Sequence, residues 1–236
     1  MLVDLIKSGF DRNLLIEILL AIPVILFSLT FHEVAHGYVA YKMGDPTARN
    51  LGRLTLNPIK HLDPIGSLLM LTVGYGWAKP VPINTRYFSN PKKGMAITAL
   101  AGPVSNMIIA IVSVAVYSLM LALLKIGAFA QIILSNQTIF NLYSAVYSMF
   151  SLCAYLNVSL AVFNLIPLPP FDGSRIFYSI LPAKLYFSVM KYERYILIVF
   201  LALLYTGIVS LPIGYITNFI IGLFNLLFGL IFGIGG

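Results

Sequence analysis

Charged residues are scarce in this sequence, and acidic residues are scarcer than basic ones. Only 10% of the 236 residues are charged and 59% are hydrophobic, whereas about a quarter of the residues in a soluble domain are charged. Eight acidic residues face 15 basic ones, which gives a formal net charge of +7. This composition excludes an ordinary soluble domain and favours an integral membrane protein.

Cysteines and nucleic-acid-binding patterns are also lacking. The single cysteine, Cys153, excludes an internal disulfide, and its place in an apolar run predicts a small buried side chain. The sequence has no zinc-finger spacing, basic helix or aromatic-basic pattern, although a positive net charge can indicate nucleic acid as a partner. The basic residues lie between apolar segments, so orientation in a lipid bilayer explains them better. We therefore expect the bilayer, and no nucleic acid, among the partners.

Long apolar runs make up most of the chain. They predict five spanning helices, near residues 14–41, 95–124, 139–166, 194–210 and 213–232. The shorter piece from Pro64 to Val73 would be about 15 Å long as a helix, half of the hydrocarbon core, which predicts a re-entrant half-helix. The stretch KPVPIN after it is either a strand or a proline-rich connector. The predicted fold class is an all-α integral membrane bundle of about five spanning helices plus a re-entrant half-helix/strand hairpin.

The basic residues predict the orientation of this bundle. If residues 42–62 and 77–93 share one side, that side holds 12 basic residues, and the other side holds only Lys7, Arg12 and Lys125. The positive-inside rule then places the basic loops and the C-terminus in the cytoplasm and the N-terminus outside. His36 lies six residues before Lys42, so we expect the active site to open toward the cytoplasm. We expect a multi-pass protein of the cell membrane. It would form one polytopic domain (1–236), with a metal-site core at about 14–182 and a C-terminal helical pair at about 183–236.

Three polar residues interrupt the first predicted span in the stretch TFHEVAHGYVA. His32 and His36 are four residues apart, so they share one helix face and can both reach one zinc ion. Glu33 points to an adjacent face, from which it can act on a water molecule as a general base without being a ligand. A charged group at the bilayer centre costs about 2.5–3.5 kcal/mol. That cost favours a zinc site over a merely structural contact between helices.

A zinc ion held by two histidines needs a third protein ligand, and Asp172 in NLIPLPPFDG is the best candidate. Three prolines precede it and prevent a regular helix. Non-helical backbone at membrane depth must be buried in protein or line a water-filled cavity. We therefore predict Asp172 to be a ligand on a fixed turn before Gly173. His61 could be a ligand or a proton shuttle, but a structural contact near the start of the half-helix is favoured.

The two metal motifs together, FHEVAHG and NLIPLPPFDG, resemble those of the site-2 protease family of intramembrane zinc metalloproteases. GWAKPVPIN and ALAGPVSN resemble further family segments in the same order, and the resemblance covers about residues 25–180. It implies one Zn²⁺ per chain, bound by His32, His36 and Asp172, with Glu33 as the general base. It also implies that Asn164 holds substrate or stabilises the oxyanion, and that Asn106 lies beside the site, where we expect it to contact substrate.

The segment KPVPIN suggests how a substrate could be held. Pro80 and Pro82 lack an N–H, whereas the other edge of a strand here would keep the donors of Lys79, Val81 and Ile83. A substrate peptide could pair with that edge by β-augmentation. Many family members carry an inserted PDZ domain, but no polar stretch of that size lies between the metal motifs here. We therefore expect no PDZ-mediated partner and a membrane-protein substrate with a transmembrane helix.

These expectations describe an intramembrane zinc endopeptidase that hydrolyses peptide bonds within or near transmembrane segments. One alternative is a zinc or ion transporter, because histidines and acids in spans also mark ion paths. No inverted repeat is visible to support it, and conduction has no need of a glutamate placed as a base. The other alternative is a catalytically inactive membrane scaffold, although His32, Glu33, His36 and Asp172 are all present.

Overall fold

The computed structural model describes residues 12–73, 76–182 and 191–234. Within those ranges the chain is built from helices and contains no strand, which confirms the predicted all-α membrane bundle. The helices are α1 (Arg12–Lys42), α2 (Thr47–Asn50), α3 (Pro64–Val73), α4 (Pro91–Leu123), α5 (Gly127–Ser135), α6 (Gln137–Asn164), α7 (Asp172–Tyr178), α8 (Glu193–Tyr205) and α9 (Ser210–Ile231).

Four of the helices in the described ranges are long and apolar enough to cross a membrane. They are Ile18–Lys42 within α1, and α4, α6 and α9 over their full lengths. The fifth predicted span, near 194–210, corresponds to α8, whose 13 residues are about 20 Å long against a core of about 30 Å. The helix ends at Tyr205, and Gly207 follows with a φ of 79°, the left-handed conformation that often terminates helices. The count of five spans is therefore not reached in these ranges.

Asparagine caps set the starts of two spanning helices. The side chain of Asn90 accepts a hydrogen bond from the N–H of Lys93, and Pro91 occupies the first position of α4. The side chain of Asn136 accepts from the N–H groups of Thr138 and Ile139 at the start of α6. These caps place each helix start a few residues before the apolar run that predicts it.

Helix α4 is the centre of the bundle. It packs most extensively against α6 and α1, and it also contacts α7 and α9. Small buried residues line it, among them Ala99, Gly102 and Ala110, which allow neighbouring helix backbones to approach closely. As a result α1, α4 and α6 pack against one another, and the residues at their shared interface are buried.

The half-helix α3 and the segment after it form a closed hairpin. The bounds of α3 agree with the prediction from the sequence, and a single antiparallel bridge joins Leu62 to Ala78. Gly66 lies so close to the returning chain that a Cβ there would be 2.2 Å from the carbonyl oxygen of Trp77. Only glycine permits this approach, which is the reason the hairpin can close.

The segment KPVPIN, residues 79–84, is an irregular connector held by hydrogen bonds. The alternative of a strand is therefore wrong. Its partners are loops and side chains, since Pro80 and Pro82 cannot donate to a ladder. Four hydrogen bonds hold it: Lys79 N–H to the carbonyl of His61 (2.8 Å), Arg53 to the carbonyl of Lys79 (2.7 Å), Val81 N–H to Glu33 (2.8 Å) and Asn84 N–H to Asp45 (2.6 Å).

Candidate metal centre

Three side chains from distant parts of the sequence converge where α1 meets α7. The Nε2 atoms of His32 and His36 are 3.0 Å apart. The Oδ2 atom of Asp172 lies 3.1 Å from the first and 3.2 Å from the second. Both histidines are buried, each with 6% of its surface exposed. Among the described residues, this is the group of histidines and acids that could hold a metal ion.

Asp172 reaches the histidines because the chain changes direction after α6. The residues between Asn164 and Asp172 are not helical, as their prolines predict, and Asp172 is the first residue of α7. The prediction of a fixed turn at Asp172 is therefore wrong in detail, because the carboxylate sits at the start of a short helix. Gly173 makes the approach possible, since a Cβ there would be 2.2 Å from the carbonyl oxygen of Leu165.

The hydrogen bonds behind the histidines decide which ring nitrogens carry protons. The Nδ1 of His36 lies 2.7 Å from the carbonyl oxygen of Thr98, and the Nδ1 of His32 lies 2.6 Å from Oδ1 of Asn106. Both partners are acceptors, so each neutral ring carries its proton on Nδ1 and turns the lone pair of Nε2 inward. The buried Oδ2 of Asp172 receives no hydrogen bond.

Three electron-pair donors thus face one another with no proton between them, and only a cation would make this arrangement favourable. The spacing fits zinc: bonds of about 2.0–2.1 Å in a tetrahedron give ligand atoms about 3.3 Å apart, close to the 3.0–3.2 Å observed.

Glu33 lies beside this cluster without belonging to it. Its Oε2 accepts a hydrogen bond of 2.8 Å from the backbone N–H of Val81, and its side chain is partly exposed. The carboxylate is therefore held by the connector on one side while it remains accessible on another. This is the position that a general base next to a metal ion requires.

Gly102 of α4 packs directly against the rings of His32 and His36. A Cβ at this position would lie 2.5 Å from Cε1 of His32 and 2.5 Å from Nε2 of His36. No side chain larger than hydrogen fits between α4 and the rings. The glycine of the segment ALAGPVSN therefore has a steric role in the site.

The other predicted site residues are placed less centrally. The amide of Asn164 donates to the carbonyl of Leu160 in its own helix, and no hydrogen bond links it to the metal cluster within the described residues. His61 is 2% exposed, its Nε2 lies 2.8 Å from the carbonyl oxygen of Thr55, and it lies outside the metal cluster. Asn106 has no exposed surface, and its contacts favour a place behind His32 over direct contact with substrate.

The donor edge predicted at KPVPIN is largely engaged. The N–H of Lys79 bonds to His61 and that of Val81 to Glu33, while no described residue accepts a hydrogen bond from the N–H of Ile83. A substrate strand would find one free donor here unless these contacts exchange. Substrate binding by Lys79, Val81 and Ile83 stays a prediction.

Sequence reasoning missed three residues that support the site. Thr98 accepts from His36, while Asn157 and Ser28 continue the hydrogen bonding behind Asn106. An asparagine in the middle of an apolar helix is a signal that could have identified Asn157. Thr98 carries no such signal, because its contact uses the backbone carbonyl.

An apolar cavity of about 250 Å³ lies on the same side of α1 as Glu33. Leu29 and Thr30 line it one helical turn before Glu33, and the hairpin closes its other side. Its lining comprises Ile22, Ile25, Leu26, Leu29 and Thr30 of α1 together with Pro58, His61, Leu62, Ser67, Trp77 and Ala78. A cavity of about 150 Å³ with aliphatic and aromatic walls already holds benzene, so this one has room for a large apolar side chain.

Comparison with known proteins places these features in a family. The sequence model of peptidase family M50 matches residues 20–207. YwhC of Bacillus subtilis (strain 168), named as a candidate zinc metalloprotease, is 43% identical over 188 residues, 79% of this chain and 80% of that protein. Zinc metalloprotease MJ0392 of Methanocaldococcus jannaschii is 30% identical over 162 residues, 68% of this chain and 34% of that protein. No solved structure gives a significant match.

Proposed function

Because the chain belongs to peptidase family M50 and so is a zinc metalloprotease, as its motifs predict, we propose that it hydrolyses peptide bonds within or near the transmembrane segments of other membrane proteins. The observation that carries this proposal is the convergence of His32, His36 and Asp172 beside Glu33, with both histidines inside a helix apolar enough to span a membrane.

In this proposal each residue of the site has its own chemical role. His32, His36 and Asp172 would hold one zinc ion, which when bound would supply a water of lowered pKa and polarise the scissile carbonyl. Glu33 takes the proton from the attacking water and passes it to the leaving amine. The N–H of Val81 keeps the Glu33 carboxylate oriented toward the site between these two transfers.

The surroundings of Glu33 support an apolar substrate. Transmembrane segments carry large aliphatic and aromatic side chains, and the cavity one helical turn from Glu33 presents matching walls. A helical substrate hides its peptide bonds in i to i−4 hydrogen bonds, so it must unwind before it reaches the zinc site. Asn164 and the free N–H of Ile83 are the groups that we expect to receive the unwound backbone.

The test uses the purified protein in liposomes with a panel of single-span membrane proteins as substrates. Glu33→Gln should retain one zinc per chain, measured by metal analysis, and should lose cleavage, measured on gels, because glutamine cannot accept the proton. Asp172→Asn is the matched variant that should lose zinc as well as cleavage. Proteolysis by Glu33→Gln at the wild-type rate would overturn the proposal.

A transporter gives the opposite result in the same liposomes. Zinc would then move across the bilayer, and flux rather than cleavage would depend on His32 and His36. A zinc-sensitive dye inside the liposomes distinguishes the two activities. Zinc uptake by liposomes that show no cleavage of any substrate would exclude the proposed peptidase.

A further inference from the structure

We propose that Asn157 and Ser28 are positioning residues for His32, which they serve by fixing the orientation of the Asn106 amide. The inference rests on the zinc site of the proposed function. It concerns four side chains that form an unbroken line of hydrogen bonds from α1 through α6 and α4 back to α1. Ser28, Asn106 and Asn157 each have no exposed surface.

The Ser28 hydroxyl, at the end of the line away from His32, determines which group donates and which accepts in each hydrogen bond. The hydroxyl of Ser28 donates its only proton to the carbonyl oxygen of Val24, at 2.7 Å. The Ser28 oxygen can then only accept, and the nitrogen of the Asn157 amide lies 2.8 Å from it. The same nitrogen also donates to the carbonyl of Cys153, at 2.8 Å. Two acceptors thus fix the NH₂ group of Asn157 on that side.

The carbonyl oxygen of the Asn157 amide in turn orients the side-chain amide of Asn106 in α4. Its Oδ1 accepts a hydrogen bond of 2.7 Å from the nitrogen of the Asn106 amide. The oxygen of Asn106 must therefore face His32, where it lies 2.6 Å from Nδ1. An amide that could rotate freely would present either its oxygen or its NH₂ group to the ring.

This orientation matters because it decides the tautomer of His32. An acceptor at Nδ1 keeps the proton there and leaves the lone pair of Nε2 available for zinc. If the Asn106 amide were reversed, its NH₂ group would donate to Nδ1 and the proton would move to Nε2. A protonated Nε2 cannot bind a metal ion.

The two histidines differ in how they are secured. His36 relies on the backbone carbonyl of Thr98, which has one orientation in a helix. His32 relies on a side-chain amide, which needs a second amide and a hydroxyl to hold it. Substitutions along the line should therefore act on one ligand and leave the other intact.

The first experiment measures zinc affinity in detergent by competition with a chromophoric chelator. Asn157→Leu keeps the branched shape but removes both hydrogen-bonding groups, and we expect the Kd for zinc to rise about 10–100-fold. Ser28→Ala should have a smaller effect, because the carbonyl of Cys153 still holds the Asn157 amide. The control is Asn225→Leu, which removes a hydrogen bond from Tyr117 of the same α4 without any link to His32. That variant should bind zinc like the wild type.

A second variant separates positioning from mere support of the fold. Asn106→Asp has an acceptor on either side of its carboxylate, so its orientation no longer matters, and the zinc affinity of this variant is the reference for the next measurement. In that background Asn157→Leu should change the Kd by less than about threefold, because it no longer alters the group that faces His32 and it also removes the Asn157 oxygen that would face the second carboxylate oxygen. The unfolding temperature of zinc-free Asn157→Leu reports its support of the fold separately. A structural role alone would instead cost the same zinc affinity in both backgrounds.

Three outcomes distinguish the inference from the proposed function. An unchanged Kd in folded Asn157→Leu, with zinc bound by the wild type, overturns the inference alone. An equal loss of affinity in both backgrounds also overturns it. A wild-type protein that binds no zinc, even when loaded after purification, would instead contradict the proposed function.

Discussion

At the scale of single residues, the space under the two histidine rings is the tightest point of the site. Gly102 leaves no room for a Cβ, and the atoms it would meet belong to rings that are themselves fixed by Thr98 and Asn106. The rings cannot retreat without breaking those hydrogen bonds. A substitution here should therefore act on the metal ligands before it acts on the fold.

We expect Gly102→Ala to weaken zinc binding by about the 10–100-fold typical of disturbed ligand orientation. Its cleavage activity at low zinc should fall in parallel. Chelator competition gives the affinity, and cleavage measured across a zinc titration gives the activity. Gly214→Ala and Gly222→Ala are matched controls in α9, where a Cβ would have nothing within 4 Å. If Gly102→Ala bound zinc as tightly as these controls, the contact distances would be wrong.

The sequence predicts which residues form the cluster better than it predicts what supports them. A helix repeat places His32 and His36 on one face, and three prolines single out Asp172, so the cluster could be assembled from local rules. Ser28, Thr98 and Asn157 depend on which faces of α1, α4 and α6 meet. Local periodicity does not determine that pairing, since all three helices are apolar on most sides.

At the scale of elements, the connector formed by residues 79–84 has a specific task. Prolines at 80 and 82 leave Val81 as the donor between them, and this donor points at Glu33. The other hydrogen bonds of the connector fix its position relative to α1. The element therefore delivers one N–H group to Glu33, the proposed general base.

Val81→Pro should keep zinc and lose activity. The substitution removes the N–H but retains an apolar side chain in a segment already suited to proline. A hydrogen bond to a charged group contributes about 1.5–3 kcal/mol, which corresponds to a cleavage rate about 10–100-fold lower. Single-turnover cleavage and zinc content are the measurements. Val81→Ala, which keeps the N–H, should stay near the wild-type rate, and equal rates for the two variants would contradict this role.

Elements differ in how well the sequence predicts them. The bounds of α3 follow from Asp63, Pro64 and the length of its apolar run, and the structure reproduces them. The sequence does not predict helix α5, because Lys125 and Asn136 mark its surroundings as a connection between spans. Helix α8 is shorter than its predicted span because backbone geometry at Gly207 ends it, and hydropathy does not register that turn.

At the scale of the whole molecule, the orientation in the bilayer is still a prediction that one helix can test. Helix α4 has 33 residues and is about 50 Å long, enough to cross the membrane. Lys93 lies at its start and Lys125 just after its end, and both are exposed. The positive-inside rule therefore places Lys93 in the cytoplasm and Lys125 outside. The Lys125 ammonium donates a hydrogen bond to the carbonyl of Gly233 just after α9, so this orientation also places the end of α9 outside and contradicts the predicted cytoplasmic C-terminus.

We expect Lys93→Cys to react with a membrane-impermeant maleimide only after the cells are opened, and Lys125→Cys to react in intact cells. The native cysteine does not interfere, because Cys153 is buried and should remain unlabelled in the folded protein. The wild type therefore serves as the background control. The reverse labelling pattern would place the basic loops and the site on the outer side.

The division into a core at 14–182 and a C-terminal pair at 183–236 also stays a prediction.

The convergence of ligands from α1 and α7 has a consequence for the newly made protein. Asp172 is synthesised 140 residues after His32, which takes roughly 7–28 s at about 5–20 residues per second. During that interval the nascent chain has the two imidazoles and the proposed base but lacks Asp172, the proposed third ligand. We therefore expect the peptidase to be inert while it is inserted among other emerging membrane helices, and to become competent only when its later helices have joined the first.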